Sequence, residues 1–167
     1  MNTAYISIGS NMGEKLENCL KGLAALGEID RIAIEDRSEF YLTEPMEYTE
    51  QPWFVNAAAR INTTLDPFDL LKILKSLESE LGRIDSSLRY GPRVLDFDII
   101  FYNDIIIETP GLIIPHPRMH NREFVLRPIC DLAPGMMHPV LKKSPRQLLD
   151  QLAAENQKCI RMESMVN

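Results

Sequence analysis

Residues 66–83, DPFDLLKILKSLESELGR, admit one local structure. Asp66 precedes Pro67, a residue suited to a first helical turn, and Leu70, Leu71, Leu74, Leu77 and Leu81 recur at helical spacing until Gly82 ends the run. The flanking segments have the other period. AAARINTTL (57–65) and VLDFDIIFY (94–102) read as strands. The chain opens in the same alternation. AYISIGS (4–10) reads as a strand, GSNMG as a turn with Asn11 or its neighbours available as a cap, and EKLENCLKGLAALG (14–27) as a helix. That helix places Leu16, Cys19, Leu20, Leu23 and Leu26 on one face, with Gly27 as its stop.

Further along, a strand is expected from Ile32 to Tyr41, and a hairpin around Asn103 and Asp104 leading into DIIIET. Residues 110–134 hold five prolines and leave room for one helical turn between Met119 and Leu126. A last amphipathic helix is expected over 144–156. Interleaved strands and helices, with strands close enough for hairpins, predict an α+β fold. The expected architecture is a ferredoxin-like α/β sandwich, a largely antiparallel sheet with helices packed on it. No repeat, linker or low-complexity segment divides the 167 residues, so one domain spanning 1–167 is expected.

Composition excludes several function classes. No apolar run approaches the roughly 20 residues that span a bilayer, and MNTAYISIGSN lacks a basic region followed by a long apolar stretch, so no secretory signal is expected there. Cys19, Cys130 and Cys159 are odd in number and lack CxxC spacing, which suits a reducing cytoplasm and neither a disulfide framework nor a zinc site. The net charge of −6 disfavours a nucleic-acid partner. Between Ser76 and Leu141, however, every cation is an arginine: Arg83, Arg89, Arg93, Arg118, Arg122 and Arg127. Arginine's planar fork matches phosphate oxygens, and it also serves structural ion pairs. Composition leaves both readings open.

The strand at 94–102 carries Asp96 and Asp98 one residue apart, so both carboxylates leave the same face with Phe97 on the other. Two like charges among apolar neighbours repel and resist desolvation. Parallel carboxylates are hard oxygen ligands suited to Mg²⁺, which also binds substrate phosphates, and a metal would remove the repulsion. Neither GxxxxGKS nor GxGxxG occurs, so phosphates must be held by side chains. The arginines and His116, in PHPRMHNR, are candidates; His116 also reads as an ordinary loop residue. Glu78 and Glu80 read as the solvated face of the long helix. In TEPMEYTEQPWFVNAA, Thr43, Trp53, Phe54 and Asn56 fit either a planar-ligand pocket or a hairpin packed on the core.

SIGSN, YLTEPMEYTEQPWFVNAA, GPRVLDFDIIFY and PHPRMHNREFVLRPICDLAP occur in that order, and over roughly residues 3–150 the chain resembles the 6-hydroxymethyl-7,8-dihydropterin pyrophosphokinases of folate biosynthesis. The resemblance implies transfer of the β,γ-pyrophosphoryl group of ATP to the pterin hydroxymethyl oxygen, leaving AMP. It implies that Asp96 and Asp98 hold two Mg²⁺ ions. It assigns Arg83 and Arg93 to the triphosphate as catalytic residues, and Glu78, Arg89, Ile99, His116 and Arg122 to ATP. It places Thr43, Glu44, Met46, Phe54, Asn56 and Phe124 in the pterin pocket, Phe54 and Phe124 sandwiching the ring. Loops 43–52 and 83–93 would close over the substrates. Tyr90, Asp85, Lys75 and Pro117 depart from residues common in the family, at the loop and the nucleotide's rim. A monomer acting on ATP and pterin, with no nucleic-acid or membrane partner, is expected.

Overall fold

Strand β1 (Asn2–Ser10), buried over most of its length, is the spine of the fold. It pairs antiparallel with β4 (Phe54–Thr63) on one side and β5 (Asp96–Tyr102) on the other. The computed structural model describes residues 1–82, 93–152 and 156–162. Beyond β4 come β3 (Tyr41–Thr43) and then β8 (Cys159–Arg161), giving the order β5-β1-β4-β3-β8, while β2 (Ile32–Arg37) pairs with the far half of β4. Every pairing is antiparallel. Helices cover both faces, so the expected α+β sandwich is the observed one.

Helices α1 (Lys15–Glu28) and α2 (Pro67–Glu80) supply Cys19, Leu23, Leu26, Leu70, Leu74 and Leu77 to a core with Ile6, Ile8, Ile61, Phe97 and Ile99 of the sheet. Helices α3 (Glu123–Leu132) and α4 (Pro145–Asp150) pack Val125, Leu126, Ile129 and Leu148 on the opposite face, against Tyr5, Ile100 and Phe101. Local signals set the helix starts. Asp66 accepts from the Asp69 N–H at 2.8 Å, and Ser144 and Gln147 form a reciprocal capping box before α4. Among the described residues no helix is long and apolar enough to cross a membrane.

The structure corrects several sequence expectations. The strand expected from Ile32 to Tyr41 breaks at Ser38, whose hydroxyl accepts from the Ala58 N–H at 2.8 Å and donates to the Glu39 carbonyl at 2.7 Å. A side chain thus replaces one rung of the ladder, and β2 and β3 meet β4 in different registers. The chain turns at Asn103, but the DIIIET segment pairs elsewhere: β6 (Ile107–Glu108) meets β7 (Ile113–Ile114). Helix α3 runs ten residues despite Pro128, because its buried face outweighs one missing backbone hydrogen bond. Helix α4 ends at Asp150, short of the expected span. Asn11 does not cap α1, whose N-cap is Glu14 without a side-chain hydrogen bond.

Candidate active site

Register across the sheet brings the chemistry to one place. Asp96 of β5 lies opposite Gly9 of β1, and Gly9 lies opposite Asn56 of β4; one step along, Asp98 lies opposite Ser7, and Ser7 opposite Ala58. The small residues between the aspartates and Asn56 leave space above the sheet. That space is part of a cavity of about 520 Å³, within the range of small-molecule sites. Its walls come from distant parts of the chain: Thr43, Glu44 and Met46 after β3, Phe54 and Asn56 on β4, Lys75 on α2, and Phe124 on α3. Arg93, His116, Arg118 and Arg122 line the same cavity as the aspartate pair, and the Arg122 charge acts on Asp98.

Asp96 and Asp98 are both partly buried. Burial, followed by the Asp96 charge, pushes the Asp98 carboxyl up to about 7; Lys75 and Arg122 oppose this and Glu78 adds to it. The pair is therefore short of positive charge at neutral pH, the condition a divalent cation relieves. Among the described residues no group of three or more His, Cys, Asp and Glu side chains assembles as a metal cage. Two carboxylates with room for waters and phosphate oxygens is the donor set that suits Mg²⁺, so the residues present fit that ion.

His116 differs from the arginines in charge. Burial, then Arg122, lowers its pKa to about 4, so its imidazole is neutral at physiological pH. Its Nδ1 accepts from the Arg118 N–H at 3.2 Å, which places the ring proton on Nε2. His116 thus offers an N–H donor with no charge of its own. Arg122 is 8% exposed, bonds the Glu47 carboxylate at 2.8 Å and lies with its guanidinium 5.5 Å from the centroid of the Phe124 ring. It links the charged and aromatic parts of the cavity.

On the aromatic side, Asn56 is 4% exposed and donates to the Thr43 hydroxyl at 2.7 Å. Gly9 makes this arrangement possible: a Cβ there would stand 2.4 Å from Asn56 Oδ1. Asn56 lines the cavity together with Phe54 of its own strand and Phe124 of α3. A flat heterocycle is the ligand such walls accept.

Residues 5–134 match the family described as 7,8-dihydro-6-hydroxymethylpterin-pyrophosphokinase. The chain belongs to that family. It is 41% identical over 131 residues to the 2-amino-4-hydroxy-6-hydroxymethyldihydropteridine pyrophosphokinase of Bacillus subtilis, covering 78% of each chain. It is 42% identical over 152 residues to the folic acid synthesis protein fol1 of Schizosaccharomyces pombe, covering 91% of this chain but 21% of that one. The Plasmodium falciparum HPPK-DHPS structure with pteroate shares the fold, with a TM-score of 0.73 at 18% identity over 89% of this chain and 42% of that chain. The chain thus spans about a fifth of fol1 and under half of that solved structure.

Of the residues that the resemblance to this pyrophosphokinase family singles out, Thr43, Glu44, Met46, Phe54, Asn56, Arg93, Asp96, Asp98, His116, Arg122 and Phe124 all line the one cavity. Arg83 and Arg89 lie outside the described residues, as do Asp85 and Tyr90. Ile99 and Glu78 do not line the cavity. Ile99 is 4% exposed in the core under α1 and α2. Trp53 is not on the cavity either; its carbonyl accepts from the Lys15 ammonium at 2.9 Å.

Glu78 is not on a solvated face. It is fully buried and accepts from the Phe97 N–H, between the two aspartates, at 2.7 Å, with the Lys75 ammonium 3.4 Å away. A signal was present, since Glu78 follows Leu70 by eight residues on the apolar stripe. Asn11 is a site element to which the sequence assigns only a possible capping role. Its amide donates to Gln51 and to the Pro52 carbonyl, and its Oδ1 accepts from the Arg93 N–H at 2.8 Å, tying Arg93 to the loop before β4. Nothing in the turn sequence GSNMG distinguishes that role from a cap.

Proposed function

We propose that this chain catalyses Mg²⁺-dependent transfer of the pyrophosphoryl group of ATP to 6-hydroxymethyl-7,8-dihydropterin, giving AMP and the pterin diphosphate. The observation that carries the reading is a single cavity joining an aspartate pair, three arginines and an aromatic pocket walled by Phe54, Asn56 and Phe124. Family membership and the Bacillus subtilis relative point to the same reaction. Asp96 and Asp98 would hold two Mg²⁺ ions, which when bound neutralise the triphosphate and lower the pKa of the attacking hydroxyl.

The chain's own groups align and screen. Arg93, Arg118 and Arg122 offer forked donors to the triphosphate, and neutral His116 adds an N–H without further charge. Asn56 bonds the edge of the pterin while Phe54 and Phe124 hold its faces, fixing the hydroxymethyl group beside the β-phosphorus. The hydroxymethyl oxygen then bonds that phosphorus, and the bond from it to the α,β-bridging oxygen breaks. The bridging oxygen leaves with AMP, and the hydroxyl proton passes to solvent. Arg83, Arg89, Glu78 and Ile99 belong to the same proposal as nucleotide residues, by family resemblance alone. A monomer in the cytoplasm completes it; Cys19, Cys130 and Cys159 are all free thiols, as a reducing compartment allows.

Phosphorus NMR tests the reaction. Protein, ATP, Mg²⁺ and the pterin should yield AMP and a pterin diphosphate in equal amounts, both absent without the pterin. ADP in place of AMP would make the transfer a single phosphoryl step. No nucleotide product, with pterin binding intact, would make the chain a binding module.

A further inference from the structure

We propose that Gln157 is a positioning residue for the pterin pocket, an inference that rests on the reading of this cavity as the pterin site. The family match stops at residue 134, and the sequence motifs assign no role to the segment after α4. Yet that segment returns to the cavity. Strand β8 adds an edge to β3, with Thr43 opposite Cys159 and Leu42 opposite Ile160. Just before it, Gln157 is 5% exposed and lines the cavity.

Its carboxamide bridges two walls. Oε1 accepts from the Phe124 N–H at 2.9 Å, and Nε2 donates to the Glu44 carbonyl. The backbone reinforces the second link: Glu44 N–H donates to the Lys158 carbonyl at 3.0 Å, and Lys158 N–H to the Glu44 carboxylate at 2.9 Å. The first link supplies something α3 lacks. Phe124 is the second residue of that helix, its N–H is one of the first-turn donors without an intrahelical acceptor, and the N-cap Arg122 gives no side-chain cap. Gln157 caps the helix from 33 residues away. It thereby fixes the turn that carries the Phe124 ring, at a set distance from the wall formed by Thr43 and Glu44.

The variants are Gln157→Ala and Gln157→Met; methionine keeps the volume, so it carries the test if alanine does not fold. Steady-state kinetics with ATP and the pterin varied separately, with calorimetric titration of the pterin alone, give the readout. Loss of two neutral hydrogen bonds predicts a pterin KM and Kd raised roughly tenfold, with kcat and the ATP KM within about twofold. A Gln157→Met enzyme with unchanged pterin KM and Kd overturns the inference, and so does a parallel loss for both substrates, which marks a purely structural role. A wild-type chain that binds pterin but never converts it leaves the calorimetric arm to decide. One that does not bind pterin refutes the pocket reading and this inference together.

Discussion

Replacing Gly9 by alanine is the smallest change that tests the pocket. Alanine suits a strand better than glycine by about 0.5–1 kcal/mol, and Gly9 does not occupy the left-handed backbone region, so the substitution taken locally should stabilise. The neighbours reverse that expectation. The new methyl would stand 2.4 Å from Asn56 Oδ1, about 1 Å inside ordinary contact, and 3.7 Å from the Val55 carbonyl. The carbonyl tolerates it; the amide must move. Asn56 is pinned by its bond to the Thr43 hydroxyl at 2.7 Å, and a retreat of about 1 Å takes that bond past hydrogen-bonding range. A buried amide left without its partner costs about 1–3 kcal/mol. Felt at the pterin edge, that is about a 5- to 150-fold loss of pterin affinity. ATP affinity should hold, since the arginines and aspartates are untouched. Calorimetric titration with each ligand measures both. Normal pterin affinity in Gly9→Ala would refute the claim that Asn56, held over Gly9, reads the pterin.

Other consequences concern charge. Asp98→Asn should lower kcat by about 10²–10³-fold, the scale for losing one electrostatic partner of the transition state. The same variant should melt higher than wild type at pH 8 without metal, because it removes a carboxylate whose ionisation burial opposes. The two raised and lowered groups act oppositely on acid stability. A folded-state pKa near 7 for Asp98 gives stability that is full below pH 4 and lost as pH rises to 7; a folded-state pKa near 4 for His116 gives stability present above 6.5 and lost as pH falls to 4. Metal-free melting curves should show the slopes unmasked: Asp98→Asn losing Tm on acidification from 6.5 to 4, and His116→Gln gaining it. Finally, Glu47 holds Arg122 at 2.8 Å, so Glu47→Gln should free the guanidinium for the triphosphate and lower the ATP KM several-fold. An unchanged KM would show that the ion pair does not compete with ATP.

Much of the site was legible because strand periodicity is strict. Asp96 and Asp98 had to share a face, and the structure puts that face on the cavity beside Ser7 and Gly9. The long helix was equally plain, from Pro67 in its first turn onward, though the Asp66 cap shows only in the structure. What stayed hidden depends on partners far along the chain. Glu78 could be buried because a strand N–H, at Phe97, meets it 19 residues later. Ser38 breaks an otherwise even strand because Ala58 offers its N–H to the hydroxyl. Pro128 suggested a stop, but a helix face packed on the sheet tolerated it. Gln157 carries no local signal at all, since its meaning lies in Phe124 and Glu44.

If β5's aspartate pair is the seat for the metal that accompanies the triphosphate, metal binding must depend on Asp96 and Asp98. Electron paramagnetic resonance of Mn²⁺ titrated into the protein with a non-hydrolysable ATP analogue counts the bound ions directly. Two tightly bound Mn²⁺ per chain, lost in Asp96→Asn/Asp98→Asn while the analogue-free protein keeps its fold, is the result expected. The same two ions on wild type and double variant would place the metal elsewhere and leave the paired carboxylates without a purpose.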